Sequence, residues 1–322
     1  MNRRHFLATT AAAIAASSFP FAARAAYPDR PVRFVVGFAP GGNSDVIARR
    51  FADLLGQQLG QSIVVDNKPG AGGAIASSET ARAEPDGYTI QLASASTHVT
   101  APLTGKDITF DPLSSFSHVR LLTKQPWAIL VNPQVPANSL EELIALIKAE
   151  PNKYFYGSGG VGGLAHLTGE LFKKLAGGLE IEHVGYQGGA PAIQDAIAGR
   201  VQMLVEVVGG SLSYHRSGQL KMLAVCSQDR LEAAPEIPTA VESGVADLIS
   251  ETFLGVTAPA GTPDDVVARL YEGCTTVMNN AEFVATLAKD GTGAVKESTP
   301  TEMREYIGAE IEKWRPIVKD LA

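Results

Sequence analysis

The residues best suited to binding chemistry lie in a glycine-rich stretch, Gly157–Gly163, between a short aromatic run and a helical pattern. Leu164, Leu167 and Leu171 recur at helical spacing, so the stretch predicts a strand, a glycine turn and a helix start. Glycine lets a ligand approach the backbone, and the first helical turn offers unpaired N–H groups at the positive end of the helix dipole. This combination predicts a site for an anion such as a carboxylate or a phosphate.

Two other corners of the chain repeat this pattern. The apolar run Phe34–Phe38 leads into a glycine turn at Ala39–Ser44, and a later run leads into Gly185–Pro191. Three such corners indicate several helix N-termini aimed at one place, although glycine turns also join strands to helices in any α/β protein. None of the three contains Arg or Lys. This favours recognition by backbone N–H groups and water over an arginine clamp.

Two ionisable side chains lie near these corners. Glu206 interrupts the apolar run Met203–Val208. A carboxylate there must be exposed at a strand end or paired, and it could accept a hydrogen bond from a ligand hydroxyl or amine. His166 lies one turn past Gly162, where it is either a ligand contact or only a polar residue at a helix start. No histidine after residue 25 forms a zinc-type pair with another His or Cys.

The same glycine stretch also matches a dinucleotide-binding fingerprint. Gly157–Gly162 reads G-x-G-x-x-G, and Glu182 lies 20 residues further on. We disfavour this interpretation because the motif follows a complete β-α-β-α-β run and because free NAD is scarce outside the cytoplasm. An exported NAD(P)-dependent oxidoreductase remains the alternative. The sequence has no G-x-x-x-x-G-K-[S/T] phosphate loop and no G-x-S-x-G nucleophile elbow.

Residues 1–25 predict a signal peptide. Arg3 and Arg4 form a basic segment, Phe6–Ala23 is apolar and rich in alanine, and Ala23–Ala25 fits a small-x-small cleavage site. Arg3–Leu7 also resembles a twin-arginine signal, which would export the protein already folded. We therefore expect the protein in the periplasm.

Composition excludes some classes of partner. Removing residues 1–25 takes away three of the 27 basic residues and none of the 34 acidic ones, which changes the formal net charge from −7 to −10. Such a protein lacks the basic footprint of nucleic-acid binding, and local dipoles would have to hold any bound anion. Cys226 and Cys274 lie in apolar patterns and are expected to be buried free thiols, with a disulfide as the alternative. We expect no metal and no cofactor.

The pattern of elements predicts an α/β protein. A β-α-β-α-β run over residues 32–93 indicates a parallel sheet with right-handed crossovers, and Ser96 and Thr97 follow its last strand at the edge where ligands bind. We expect an irregular segment at Val99–Ser117, then two extended runs at Val119–Thr123 and Trp127–Val131. Further along, a helix is expected at Leu212–Arg216.

Two passages of similar sequence divide the chain into lobes. Each reads as a strand, a proline turn and a capped helix, the first around Pro133 and the second around Pro259. We therefore place lobe 1 at residues 26–131 and 251–322, and lobe 2 at residues 132–250. Each lobe is expected to be a mostly parallel sheet flanked by helices.

Taken together, these motifs resemble the Bug family, the periplasmic receptors of tripartite tricarboxylate transporters. The resemblance covers nearly all of the chain after residue 25. It implies a two-lobed fold of the type II periplasmic-binding-protein kind, in which hinge closure lets the loops at Pro40 and Ser158 grip a ligand carboxylate through backbone groups and water. Position 206 is commonly Asp in the family and is Glu206 here, and position 253 is commonly Trp and is Phe253 here. The segments that carry the resemblance are Ala39–Asp45 with Ala48 and Arg49, Asp66–Gly73, Pro85–Thr89, Ser158–Leu167, Tyr186–Pro191, Pro238–Thr239 and Ala258–Pro263.

The sequence therefore predicts a monomeric periplasmic solute-binding protein, not an enzyme, that delivers a small carboxylate to a membrane permease. The ligand could be a di- or tricarboxylate, an amino acid or an aromatic acid. A ligand-sensing partner of a signalling receptor would share the same pocket and is a second alternative. The residues expected to hold the proximal carboxylate are Gly41, Gly42, Ser96, Thr97, Ser158, Gly162, Gly188 and Gly189, and those expected to shape the rest of the pocket are Phe38, His166, Ala190 and Glu206.

Overall fold

The computed structural model describes residues 27–105 and 108–321, so the predicted signal peptide lies outside the described residues. The strands are β1 (Val32–Val36), β2 (Ile63–Asn67), β3 (Thr89–Ser94), β4 (Phe116–Val131), β5 (Phe155–Ser158), β6 (Glu182–Gly185), β7 (Met203–Val207), β8 (Lys221–Val225), β9 (Glu251–Pro259) and β10 (Gly293–Ala294). The helices are α1 (Asn43–Leu59), α2 (Ala74–Ala81), α3 (Ala101–Thr104), α4 (Leu140–Ala149), α5 (Leu164–Leu175), α6 (Gly189–Ile197), α7 (Val208–Arg216), α8 (Asp264–Met278), α9 (Ala281–Lys289) and α10 (Pro300–Leu321).

The strands join into one sheet with the order β2-β1-β3-β9-β4-β7-β5-β6, and β8 and β10 pair with β4 beside this path. In the first half, β1 pairs in parallel with β2 and β3, as the β-α-β-α-β pattern predicts. In the second half, β5 pairs in parallel with β6 and β7. The two halves, with helices packed against them, form the expected two-lobed α/β fold.

Strand β4 belongs to both lobes. Residues 116–126 pair antiparallel with β9, whereas Trp127–Val131 pairs with β7 and its last residues with β8. The prediction of two separate extended runs was wrong, because a single strand continues through Pro126. The missing N–H of Pro126 is tolerated at the position where the strand changes partners.

One apolar core lies within lobe 1, and a second joins lobe 2 to residues of lobe 1. In lobe 1, α1 buries one face on the sheet, with Phe51 and Leu55 packed around Phe34. In lobe 2, α5 buries Leu167 and Phe172 against the sheet. Helix α10 contributes Met303, Ile307, Ile311 and Trp314 to that same cluster, so the C-terminal helix packs across the junction of the lobes.

Two predicted segments differ from the structure. Ser96–Thr100 forms a helical turn that continues into α3, where an irregular segment was expected from Val99. Its threonines stabilise the turn, since Thr100 and Thr104 donate hydroxyl hydrogen bonds to backbone carbonyls one turn back. Helix α7 begins at Val208, four residues before the predicted start. Both differences bear on the functional site.

The two cysteines are buried free thiols, as the apolar patterns predicted. Burial raises the pKa of each thiol to about 12, so neither is a reactive thiolate at neutral pH. Across residues 27–105 and 108–321, no helix is long and apolar enough to cross a membrane. In the same residues, no group of three or more His, Cys, Asp or Glu side chains is placed to hold a metal ion.

Candidate functional site

A cavity of about 50 Å³ lies between the lobes, at the carboxyl ends of β1, β3, β5 and β7. This is the edge at which open α/β sheets bind ligands. The cavity is small and both lobes contribute to its wall. The lining residues are Phe38, Gly42, Asn43, Ser44, Ser94, Ser96, Gln125, Trp127, Gly159, Gly160, Gly163, Ala165, Gly189, Glu206, Val207, Thr252 and Leu254.

Four helices begin at this cavity. Helix α1 starts at Asn43, α5 at Leu164, α6 at Gly189 and α7 at Val208. The first-turn N–H groups of a helix have no intrahelical acceptor and carry the positive end of its dipole. The cavity wall is therefore positively polarised although no Lys, Arg or His lines it among the described residues. Such a wall favours an anionic group.

Hydrogen bonds between the lobes hold the structure closed around the cavity. The Leu164 N–H of lobe 2 donates to Ser96 Oγ of lobe 1 over 3.0 Å. On another side, the Ala39 N–H donates to the Gln187 carbonyl over 2.8 Å. Because each bond joins one lobe to the other, neither can persist if the lobes separate.

The glycine corners allow the lobes to approach this closely. A Cβ added to Gly188, whose φ is +142°, would lie 3.0 Å from the Ala39 nitrogen of the opposite lobe. A Cβ on Gly72 in lobe 1 would likewise lie 3.0 Å from the Gly163 nitrogen in lobe 2. Backbone meets backbone at these points, which requires residues without side chains.

Glu206 is the one ionisable side chain among the described residues that line the cavity. It is only 5% exposed, and its Oε1 accepts a 3.0 Å hydrogen bond from the Val207 N–H at the start of α7. A Cβ on Gly189 would lie 2.2 Å from Oε2, so the carboxyl group lies directly over the first residue of α6. Burial raises the pKa of Glu206 to about 7, opposed by the Val207 hydrogen bond, and no charged side chain contributes to the shift.

Five of the twelve predicted site residues line the cavity: Phe38, Gly42, Ser96, Gly189 and Glu206. They come from both lobes and from four separate segments of the chain. The structure therefore brings the Pro40 corner (Ala39–Ser44) and the Gly185–Pro191 corner to one cavity, and Gly159, Gly160 and Gly163 add the third glycine corner to its wall.

Three other predicted residues have their polar groups engaged elsewhere. The Gly41 N–H donates to the Asp45 carboxylate over 2.8 Å. The Thr97 side chain is fully buried, and its hydroxyl lies 2.8 Å from His98 Nδ1. Ser158 Oγ lies 2.7 Å from His183 Nε2 and away from the cavity lining. These contacts shape the loops that surround the cavity.

The last four predicted residues lie between the lobes or on the outer side of the Gly157–Gly163 loop. Gly188 and Ala190 face the Pro40 corner, since Gly42 would meet the Ala190 nitrogen at 3.6 Å if it had a Cβ. Gly162 and His166 instead line a second, open cavity of about 590 Å³.

The loop around Gly162 is held by neutral histidines. The Gly162 N–H donates to His166 Nδ1 over 3.2 Å, which requires that nitrogen to be unprotonated. The His166 ring stacks on His183 with ring centroids 4.1 Å apart. Burial lowers the pKa of His166 and, together with the neighbouring His166 ring, lowers the pKa of His183 to about 3, so both rings are neutral.

Several residues that line the cavity were not predicted from the sequence. Gln125, Trp127 and Thr252 come from the strands that cross between the lobes, and Val207 precedes α7. The sequence feature that could have identified two of them is the presence of polar residues, Gln125 and Thr252, within extended runs. Asn43 and Ser44 belong to the Pro40 corner, which was recognised, but their place at the start of α1 brings them into the wall.

Comparisons of sequence and of structure relate this chain to known proteins. Residues 47–322 match the family described as "Tripartite tricarboxylate transporter family receptor". Protein BugT of Bordetella pertussis is 34% identical over 295 residues, which is 91% of this chain and 90% of BugT. The structure of the periplasmic binding protein BugD aligns with a TM-score of 0.89 at 31% identity, covering 92% of this chain and 98% of that one. A structure of R. palustris Rpa4515 with adipate aligns with a TM-score of 0.88 at 32% identity, covering the same shares.

Proposed function

This chain belongs to the tripartite tricarboxylate transporter receptor family, and on that premise we propose that it is a periplasmic solute-binding protein that captures a small organic carboxylate between its lobes. In this proposal the protein is exported by its N-terminal segment and delivers its ligand to the permease subunits of such a transporter. It acts as a monomer and carries out no chemical reaction.

The observation that carries the proposal is the convergence of four helix N-termini on one closed cavity. A carboxylate placed there would receive hydrogen bonds from first-turn N–H groups of both lobes. Such a ligand would join the lobes, because the donors of α1 belong to lobe 1 and those of α5 and α6 to lobe 2. Binding and closure would then be one event, with hinge motion between lobes as its structural basis.

The relatives support this choice of ligand class. The Rpa4515 structure contains adipate, a dicarboxylate, in a protein that aligns with this chain over 92% of its length. The BugD structure is that of a periplasmic binding protein. A carboxylate ligand and a periplasmic location are therefore the expected properties of this chain.

The dinucleotide alternative has less support. The Gly157–Gly163 loop packs against the other lobe, with Gly72 so close to Gly163 that a Cβ would lie 3.0 Å from its nitrogen. A pyrophosphate and two nucleosides would require the lobes to remain apart.

The experiment is a thermal-shift screen of the purified chain lacking residues 1–25. The panel contains aliphatic, aromatic and amino-substituted carboxylic acids, the matched neutral amides of the same acids, and NAD(H) and NADP(H). A ligand at 100 times its Kd stabilises the folded state by about 2.7 kcal/mol, which raises the Tm by several degrees. Hits are then measured by isothermal titration.

We expect one or a few acids to raise the Tm, whereas their neutral amides do not, since the cavity favours a negative group. Stabilisation by NAD(H) or NADP(H) and by no acid would overturn the proposal. Equal stabilisation by an acid and its amide would contradict the role of the helix N-termini.

A further inference from the structure

We propose that Glu206 selects ligands that carry an ammonium group, so that the carboxylates bound by this protein are amino acids. This inference rests on the proposed function, since it concerns the second polar group of the ligand in the same cavity. It narrows the ligand class from organic acids in general to zwitterions.

The Glu206 carboxyl group is a buried acceptor at the cavity. It lines the cavity and is 95% buried, as its exposed fraction is 5%. Within the described residues, its one hydrogen bond is the 3.0 Å bond from the Val207 N–H to Oε1. Oε2 lies above Gly189, where a Cβ would approach it to 2.2 Å. Glu206 is thus a buried acceptor with one oxygen that no described protein donor satisfies.

Among the described residues that line the cavity, no cationic side chain lies beside Glu206. Towards the cavity, the elements around Glu206 present neutral groups: Asn43 from α1, Gln125 from β4, Gly189 from α6, Gly210 from α7 and Thr252 from β9. Because no Lys, Arg or His lines the cavity among the described residues, only helix dipoles oppose the carboxylate charge. A buried carboxylate without a counter-ion is costly.

A bound ligand would add its own charges to that of Glu206. A plain dicarboxylate would bring two more negative charges beside Glu206, and like charges in a buried site repel strongly. An amino acid brings one negative group for the helix N-termini and one positive group for Glu206. Its ammonium has three N–H donors, one of which would satisfy Oε2. The charges in the closed cavity would then be paired.

The test compares acids that differ only by an amino group. Aspartate is paired with succinate, glutamate with glutarate, and alanine with propionate, and each Kd is measured by isothermal titration at pH 7.5. The proteins are the wild type, Glu206→Gln and Glu182→Gln. Glutamine keeps the shape of the side chain and can still accept from Val207, whereas Glu182 is an exposed residue of β6 in the same lobe and serves as the charge-matched control.

For the pair that binds most tightly, we expect wild type and Glu182→Gln to prefer the amino acid by at least about tenfold. Glu206→Gln should bring the two ligands to within about threefold of each other, because the ammonium loses its counter-charge. An unchanged preference in Glu206→Gln, or a wild-type preference for the acid without the amino group, would overturn the inference while leaving carboxylate binding intact. No binding of any acid would overturn both proposals.

Proton exchange on binding gives a second readout that needs no variant. At pH 7 the unliganded Glu206 is partly protonated, since its pKa is about 7. An ammonium beside it favours the ionised form, so binding an amino acid should release up to about half a proton. Titrations in phosphate and in Tris, which differ in ionisation heat, measure this number. Proton uptake would indicate a second carboxylate bound to protonated Glu206 and would contradict the proposal.

Discussion

At the scale of single residues, the cavity depends on Gly189, which has no side chain. Gly189 begins α6, and Glu206 folds over it so closely that a Cβ would overlap Oε2. Because Glu206 is itself buried and lines the cavity, its carboxyl group would be displaced into the cavity. The space for a ligand and the position of its proposed counter-charge therefore both require glycine at this site.

The substitution Gly189→Ala should accordingly weaken ligand binding by at least about tenfold and lower the unfolding free energy by about 1–3 kcal/mol, as overpacking does. The matched control is Gly308→Ala in α10, where the new Cβ would meet Leu113 at an ordinary 3.8 Å. That variant should bind normally and be as stable as wild type, or more stable by up to about 1 kcal/mol. Titration and chemical denaturation of both variants check this, and normal binding by Gly189→Ala would contradict the site geometry.

The raised pKa of Glu206 predicts a specific dependence of stability on pH. The pKa of Glu206 is 4.5 in the unfolded chain and about 7 in the folded protein. Between these two pH values the folded protein binds more protons than the unfolded chain, so its stability falls as the pH rises. A pKa shift of this size in one buried group changes the free energy of unfolding by roughly 3 kcal/mol across that pH range. Glu206→Gln removes it. The stability of wild type relative to this variant should therefore decrease between pH 4.5 and 7.5, and parallel denaturation curves across that range would refute the burial of an ionisable Glu206.

Single residues also show where sequence reasoning reached its limit. Gly42 and Gly189 could be predicted because a glycine beside a helix start has a direct physical meaning. Thr97 and Ser158 were predicted to hold a carboxylate because they lie at the sheet edge and in the glycine turn, but their hydroxyls bond to His98 and His183 within the protein. The direction of a side chain in an irregular loop depends on neighbours that are distant in sequence, so spacing alone did not reveal it.

At the scale of elements, helix N-termini make the cavity suitable for an anion. Three of the four could be predicted from strand–glycine–helix corners. The fourth, at α7, was missed because Val208, Gly209 and Gly210 are poor helix formers and because no capping side chain precedes them. Packing against the sheet outweighs that low propensity, and the helix begins where Val207 can donate to Glu206.

The contact between the turn at Ser96 and the start of α5 predicts how closure affects affinity. In the closed form the Leu164 N–H is buried and donates to Ser96 Oγ. Ser96→Ala removes that acceptor, and one net hydrogen bond of about 1 kcal/mol corresponds to an approximately five- to tenfold higher Kd. The measurement is isothermal titration of the wild-type ligand.

Ser77→Ala provides the contrast within lobe 1. Ser77 Oγ accepts a 2.8 Å hydrogen bond from Gln91 Nε2 in the buried interior, and this bond does not join the lobes. Its loss should lower the unfolding free energy by about 1 kcal/mol and leave the Kd unchanged. If the two variants had the same effect on affinity, the Ser96–Leu164 bond would have no special role in closure.

At the scale of the whole molecule, the two lobes are connected by shared elements. Strand β4 pairs with lobe 1 up to Pro126 and with lobe 2 from Trp127, and α10 packs across the junction. Sequence periodicity predicted two α/β lobes, since each has its own alternation of strands and helices. It could not show that β4 is continuous, because Lys124, Gln125 and Pro126 interrupt the apolar pattern. The lobe limits at residues 131 and 251 remain a proposal, with Trp127–Val131 paired to lobe 2.

The most direct test of the central claim is a crystal structure of the protein with the acid that stabilises it most. The account predicts closed lobes and a ligand carboxylate within hydrogen-bonding distance of first-turn N–H groups from α1 and from α5 or α6, with no Lys or Arg side chain at that carboxylate. An acid bound outside the interlobe cavity, or one held by a charged side chain and by one lobe alone, would contradict it.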